Sequence, residues 1–502
     1  MADILADAVR ELFPGTKLGA GSTTEDDFYY DFDLPKSVSI SPENLPKIEK
    51  KMKELLKKRV DPEAFKLTKI SGAYWKGSEK NKMLTRIYGV AFQTKNELAD
   101  FLKMQEEAEK RDHRILGKNL DLFVFSDLVG KGLPLFTEKG SIVRRELERF
   151  VVNEEIKRGY KHVYTPELAK VELYKTSGHY PYYKDSMYPV MKIDEEQLIL
   201  RPMTCPHHFQ LYASKPRSYK ELPFRIAELA KQFRYEKSGE LTGLIRVRSF
   251  CLADAHIVCQ KEQAMDEING VLDLIEYMAS KLGLKIGINY RYRVSLGDKD
   301  DRAWVFAENV LRKVLTQRKA PFSEAKKEAA FYGPKIDVQM KNFAGKEDTA
   351  FTIQYDFVMP KRFKLTYVDK DGKEKEPIVI HRSSIGAIER TMAFLLEHYA
   401  GALPLWLSPV QCLVIPIADR HFAYAEKIKK ELDFLRVEIN NENETVSKKI
   451  RSGELQKIPY LIVIGDRELA SDKISLRERG KGDSGTAELS KFIEKVKMEI
   501  LK

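Results

Sequence analysis

The stretch FRIAELAKQFRYEKSGELTGLIRVRSFCLADAHIVC, residues 224–259, constrains this chain more than any other. Its first half alternates: Glu228, Gln232, Arg234 and Glu236 fall on one face of an extended chain, with Ala227, Leu229, Phe233 and Tyr235 on the other. A glycine-containing loop carrying Arg246 and Arg248 follows, and the chain returns in a run whose Leu252, Asp254 and His256 share a face. Two adjacent strands arranged this way present arginines, carboxylates and an imidazole to one concave surface. Such a surface suits a polyanion such as ATP beside a small polar substrate. A hairpin with a merely solvated charged face shows the same alternation, so the pattern alone leaves both readings open.

At 502 residues the chain has room for about three domains, each able to bury a core. Lys+Arg 86 against Asp+Glu 75 gives a formal charge of +11, a mild basicity that permits a nucleic-acid partner without requiring one. The Lys-rich run 47–59 reads as a solvated amphipathic helix. Four cysteines, Cys205, Cys251, Cys259 and Cys412, lack a disulfide-framework spacing, which suits a reducing compartment. The N-terminal ADILADAVRELFPG is unlike a signal or transit peptide, and no apolar run has the length of a membrane span. The expectation is a soluble, cytoplasmic protein without a membrane partner.

The pattern predicts a short helix, a strand at DDFYYDFD and a charged helix ending near Lys58. Strands at PEAFKLTKISGAYWKG and NKMLTRIYGVAF follow around a turn, then a helix over 95–111. GSIVRRELERFVVNEEIKRGYKHVYTPEL reads as a helix, a glycine stop and a strand ending at Pro166. RFKLTYVDKDGKEKEPIVIHRSS reads as two strands around an Asp-Lys-Asp-Gly turn, and GAIERTMAFLLEHYAG as a helix stopped by Gly401. From Leu405 the pattern is β–α–β–α. Cys205-Pro206-His207-His208 invites a strand reading with Cys205 and His207 on one face. No local ligand spacing announces a metal, because Cys205, His256 and His381 lie far apart in sequence.

RYEKSGELTGLIRVRSF closely resembles motif 2 of the class II aminoacyl-tRNA synthetases, and RPMTCPHH before it with DAHIVC after it resembles the threonyl branch. The 140–168 segment resembles motif 1, the dimer-forming element of the class. The resemblance implies an α+β chain with an antiparallel-sheet catalytic domain over 116–404 and an α/β anticodon-binding domain over 405–502. It also implies an editing-domain remnant over 1–60 and a linker region over 61–115. The implied activity joins L-threonine to tRNA(Thr) through ATP, in a homodimer using Zn²⁺, and Mg²⁺ with ATP. By resemblance, Cys205, His256 and His381 are the zinc ligands. Arg234 and Arg390 hold phosphates and catalyse adenylation; Glu236, Arg246 and Phe250 bind ATP; and Asp254, Tyr332, Lys335 and Gln354 bind threonine. Asn443, Glu444, Arg451, Glu468, Arg477 and Arg479 lie in segments resembling the anticodon-contacting region. Two other readings remain: a sister ligase for proline or serine, which the Cys/His/His triad disfavours, and a non-catalytic RNA-binding protein on the same fold.

The chain departs from the family near these residues. Where the family has Gln-Asp-Asp-Ala-His, this chain has Leu252-Ala253-Asp254-Ala255-His256, so a substrate-side glutamine is absent. Thr349 stands where a glutamine is expected, and Thr204 and His207 replace an asparagine and a glycine beside Cys205. The editing domain's histidine motifs have no counterpart: the second falls on Asp3, the first lies before Met1, and the Cys-x-x-x-His segment is deleted. No histidine precedes His113. The expectation is a synthetase without editing in cis.

Overall fold

The computed structural model describes residues 1–24, 27–56, 64–77, 80–297, 301–342 and 347–501. It contains two compact units, Met1–Glu109 and Lys110–Lys502. In the first, strands run in the order Lys17–Thr23, Asp27–Asp33, Met83–Phe92 and Ala64–Tyr74, all antiparallel. Helices Ala2–Leu12 and Leu45–Leu56 carry apolar residues at helical spacing, and Leu5, Val9, Ile48 and Met52 join Phe28, Phe32 and Ile87 in its core. A helix over Lys95–Lys110 follows. The expected helix end at Lys58 and the junction at residues 60–61 lie outside the described residues.

The second unit is built on an eight-stranded sheet. Its order is Phe322–Lys326, Tyr290–Leu296, Lys335–Lys341, Glu347–Asp356, Ile378–Ala387, Ser249–Cys259, Phe224–Phe233 and Lys161–His162. All pairs are antiparallel except the outermost at each end. Ala253, Ala255, Ile257, Ile353 and Ile380 line the face packed by helices Glu138–Lys157, Ala264–Lys281, Arg302–Gln317 and Ile388–His398 in one core. This is the mixed, antiparallel-rich architecture that the sequence implies. The C-terminal sheet runs Val437–Ile439, Cys412–Pro416, Tyr460–Ile464, Ile474–Glu478 and Gly482–Ala487, parallel across the first three strands and antiparallel thereafter. The four-element β–α–β–α reading missed the strands at 437, 474 and 482 and the helix Val446–Leu455, which are short or strongly polar.

Three local expectations change. Cys205–Ala213 is an α-helix, not a strand, with Pro206 in its first turn, where a missing N–H removes no helical bond. The motif 1 strand ends at His162, because Gly159 turns at φ +80° and only two residues pair with the sheet. The Asp-Lys-Asp-Gly turn closes only the two-residue ribbon Tyr367–Val368 with Glu374–Lys375; the long strand after it, Ile378–Ala387, pairs inside the main sheet.

Candidate active site

The Ser249–Cys259 strand is the spine of the site, paired on either side with Phe224–Phe233 and Ile378–Ala387. Cross-strand partners share a face. Glu228, Asp254 and Ser383 therefore form one row, and His256, His381 and Gln354 the next. This polar face opens into a cavity of about 330 Å³. Of the residues expected for metal and amino acid, Cys205, Asp254, His256, Tyr332, Gln354 and His381 line it; of those expected for ATP, Arg234, Glu236, Arg246, Phe250 and Arg390 do. Lys335 is in register with Gln354 but does not line the cavity; its Nζ pairs with the fully buried Asp337 at 3.0 Å.

Ligand atoms of Cys205, His256 and His381 all lie within 4.8 Å of one another. Each imidazole has one ring nitrogen engaged behind it: His256 Nδ1 meets His208 Nδ1 at 2.8 Å, and His381 Nε2 meets Asp356 Oδ2 at 2.7 Å. The chain continues from His208 Nε2 to Glu228 Oε2 at 3.2 Å and from Glu228 to Arg201 at 3.0 Å. Such outer partners fix ring orientation and leave the other nitrogen for a metal. Burial, then the neighbouring His381 and His208, holds His256 well below the usual imidazole range, so it is neutral. Burial pushes the Cys205 thiol well above its usual range, with the nearby Asp254 and Asp356 adding to the effect. Two imidazoles, each with one ring nitrogen left over, and a thiol in need of a cation fit zinc.

Sequence reasoning missed His208 and Asp356. Read as a helix, the Cys205 segment places His208 three positions on, on the same face; the strand reading selected His207 instead. Asp356 follows Gln354 by two positions on one strand, a period-2 signal that was available.

In the basic part of the cavity Arg234 and Arg390 are half-buried and Arg246 is exposed. Burial pulls Arg234 below its ordinary range, against the opposing pull of Glu236; burial also lowers Arg390, which faces Asp348 and the like charges of Arg234 and Arg246. The Arg234 guanidinium lies over the Phe250 ring at 5.1 Å, and Arg246 Nε donates to Glu236 Oε2 at 2.9 Å. Arg390 is held by the carbonyls of Thr349 at 2.8 Å and Ile245 at 3.2 Å. Clustered, desolvated guanidinium groups are complementary to a polyphosphate.

Two backbone devices shape this region. The pairing of Lys335–Lys341 with Glu347–Asp356 slips between Val338 and Gln339, leaving Ala350 unpaired, and Thr349 and Ala350 both line the cavity. Gln339 Nε2 then donates to Thr349 Oγ1 at 2.6 Å. Opposite the bulge, Gly386 adopts φ +73°, and a Cβ there would meet the Ala350 carbonyl oxygen at 2.3 Å. His113 anchors the loop that carries Arg246: its Nδ1 meets Glu397 at 2.7 Å, and its Nε2 accepts from Leu244 N–H at 3.1 Å. Both its nitrogens are committed to the fold, which accounts for the Asp112, His113 and Glu397 cluster without a metal.

Residues 188–399 match the tRNA synthetase class II core domain (G, H, P, S and T), and residues 411–499 match an anticodon binding domain. The threonine–tRNA ligase of Geobacillus sp. (strain WCH70) is 43% identical over 568 aligned positions, covering 99% of this chain and 87% of that protein. This chain belongs to the threonine–tRNA ligase family of class II aminoacyl-tRNA synthetases. The ligase of Anoxybacillus flavithermus is 42% identical over 570 positions, covering 100% of this synthetase and 88% of that protein. The solved RNA binding domain of threonyl-tRNA synthetase from Cryptosporidium parvum superposes with a TM-score of 0.73 at 34% identity, covering 77% of this chain and 98% of that one. A Giardia lamblia prolyl-tRNA synthetase, 18% identical with a TM-score of 0.62, shares the fold alone.

In the synthetase's C-terminal domain, the residues expected at the anticodon separate by what they touch. Asn443 and Arg451 are exposed. Glu468 caps its own helix, accepting from Gly465 N–H at 2.9 Å, and Arg479 donates to the carbonyls of Lys457 and Leu403 at 2.6 and 2.7 Å. Arg477 pairs with Glu454 at 3.4 Å and Asp483 at 3.5 Å, and Glu444 with Lys448. Among the described residues, no helix is long and apolar enough to cross a membrane.

Proposed function

We propose that the cavity activates threonine with ATP, with Cys205, His256 and His381 holding a zinc ion beside the amino acid and Arg234 and Arg390 gripping the triphosphate. The observation that carries this reading is the convergence of the triad and the desolvated arginines in one cavity from segments distant in sequence. Bound there, zinc would ligate the amino group and β-hydroxyl of threonine, and valine would lose a coordination bond, a discrimination that an apolar pocket makes poorly.

The buried Asp254 would accept a hydrogen bond from the β-hydroxyl, and Tyr332, whose hydroxyl donates to Gln354 and whose ring stacks on His381 at 5.0 Å, would close the pocket. A threonine carboxylate oxygen attacks the α-phosphorus, the bond to the bridging oxygen breaks, and pyrophosphate leaves; Mg²⁺ bound with ATP would offset part of the phosphate charge. Arg234 offsets the charge that builds on the α-phosphoryl oxygens, and Arg390 the charge of the departing group. Glu236 and Phe250 would hold the adenine, and Arg246 a further phosphate. The adenylate then passes its threonyl group to a ribose hydroxyl of tRNA(Thr), whose anticodon would meet the exposed Asn443 and Arg451.

Editing of seryl-tRNA(Thr) in cis is absent from this reading. The first unit contains no histidine and no cysteine, and the Geobacillus alignment spans 568 positions against 502 residues, so that relative carries residues with no counterpart here. A homodimer through motif 1 is supported by Tyr164 of that segment, an aromatic 95% exposed; a concentration-independent monomer in light scattering would contradict it. The reading places the enzyme in the cytoplasm. The experiment that tests the whole is pyrophosphate exchange with threonine, serine, valine and proline, together with zinc content. About one zinc per chain, and loss of both metal and threonine activation in Cys205→Ala, are expected. Full activity without metal would overturn the zinc assignment, and no exchange with any amino acid would favour an RNA-binding scaffold.

A further inference from the structure

A glutamine on the neighbouring strand answers the one missing at Leu252. Gln232 sits opposite Phe250 on the polar face, fully buried yet lining the cavity. Its Nε2 donates to Thr204 Oγ1 at 3.0 Å and reaches Asp254 Oδ2 at 3.4 Å. Its Oε1 has no hydrogen-bond partner among the described residues. A buried carboxamide oxygen left unpaired is costly and rare in folded chains, and it calls for a ligand or a water. The Nε2 side meets two oxygen atoms, Thr204 Oγ1 and Asp254 Oδ2, which places the donor end of the amide there and turns Oε1 away from them. The free atom is therefore an acceptor. It is complementary to a hydroxyl or an amino group and not to a carboxylate or a phosphate. Thr204, which stands where the family has asparagine, supplies the hydroxyl that holds the amide, so the departure at Thr204 and the presence of Gln232 interlock.

We propose that Gln232 is a substrate-contacting, specificity-determining residue: its Oε1 accepts a hydrogen bond from the amino group of threonine while its Nε2 orients the Asp254 carboxylate. This rests on the threonine reading of the cavity given above. The test uses the full-length, zinc-loaded chain and Gln232→Met, which keeps the length of the side chain and removes the amide. Wild type is expected to support threonine-dependent pyrophosphate exchange. In Gln232→Met the KM for threonine should rise about tenfold or more. The KM for ATP and the zinc content should not change, and the melting temperature should be equal or higher because the unpaired oxygen is gone. A threonine KM within about twofold of wild type, in a folded variant, overturns the assignment, whereas failure of wild type to exchange with threonine removes the underlying reading instead. If Gln232→Met does not fold, a crystal structure with threonine decides. The carboxamide oxygen should lie within about 3.2 Å of the threonine nitrogen, and an oxygen bonded only to a water or to protein atoms overturns the proposal.

Discussion

Glu228 underlies the metal triad, and neutralising it should separate stability from zinc binding. Its carboxylate, 3% exposed, accepts from Arg201 at 3.0 Å, His208 at 3.2 Å and Thr165 Oγ1 at 2.7 Å. Burial would raise its pKa, but the hydrogen bonds from His208 and Thr165 and the Arg201 charge outweigh it and hold the group at about 2, against an ordinary 4.5. That displacement corresponds to roughly 3 kcal/mol of stability at neutral pH. An independent route gives the same size: Arg201 is 1% exposed, and breaking a buried pair from one side costs about 3–5 kcal/mol. Because the folded pKa is depressed, the contribution is fully present above about pH 4.5 and is lost as pH falls toward 2. In urea unfolding, the gap between wild type and Glu228→Gln should be constant from pH 8 to 5 and narrow by about 1.4 kcal/mol per pH unit below 4.5. Replacing both partners, Arg201→Met with Glu228→Leu, should recover much of the loss, since an apolar pair of similar volume is often as stable as a buried ion pair. It should not recover zinc affinity, expected to fall about 10–100-fold once His208 loses its orienting carboxylate. A wild-type urea midpoint in Glu228→Gln, or wild-type zinc affinity in the double variant, would refute this account.

Arg234→Ala should lower the rate of pyrophosphate exchange by about 10²–10³ with little change in fold, as removal of a transition-state charge contact does; a rate within about twofold of wild type would remove Arg234 from the chemistry. Gln339→Thr should loosen Thr349, whose carbonyl holds Arg390, and raise the KM for ATP severalfold. Adding Thr349→Gln should restore it by returning the amide from across the strand pair, and an additive double variant would deny the coupling. Serine carries both groups that zinc and Asp254 would recognise and lacks one methyl, so discrimination against it should be only about 10–200-fold. The purified enzyme is accordingly expected to form seryl-tRNA(Thr) and to leave preformed seryl-tRNA(Thr) intact; enzyme-dependent deacylation above the spontaneous rate would show that editing survives.

The paired strands at 224–233 and 249–259 were legible because alternation over ten residues has a single solution once one face is buried. The helix at 388–398 was legible for the same reason at period 3.6, with Gly401 turning at φ +80° to end it. Cys205–His208 was not, because four residues hold barely one helical turn and fit either period. The bulge at Ala350 was invisible as well: it exists only as a mismatch between two strands, and it moves Thr349 to the cavity wall, against strict alternation from Gln354. Lys335 illustrates a partner that register does not reveal: it pairs with Gln354 across the strands, and its charge meets Asp337. The anticodon assignments were weakest because exposed charge carries no period, and Glu468 and Arg479 hold backbone groups, Gly465 for the one and Lys457 and Leu403 for the other.

The departures from the family pattern at Thr204, Leu252 and Thr349 are better understood across the sheet than along the chain. Two of the altered positions meet a glutamine on an adjacent element, Thr204 holding Gln232 at 3.0 Å and Thr349 meeting Gln339 at 2.6 Å, while Leu252 pairs with Ala230 and lies diagonal to Gln232. A carboxamide is long enough to reach a neighbouring row from either strand of a pair, so its donor and acceptor can serve one point in a cavity from two different sequence positions. A linear motif registers such an exchange as two unrelated losses. The polar groups, the triad and both arginines still converge on one cavity from the sheet and the adjoining helices, and for that reason the altered motif is compatible with an intact adenylation site.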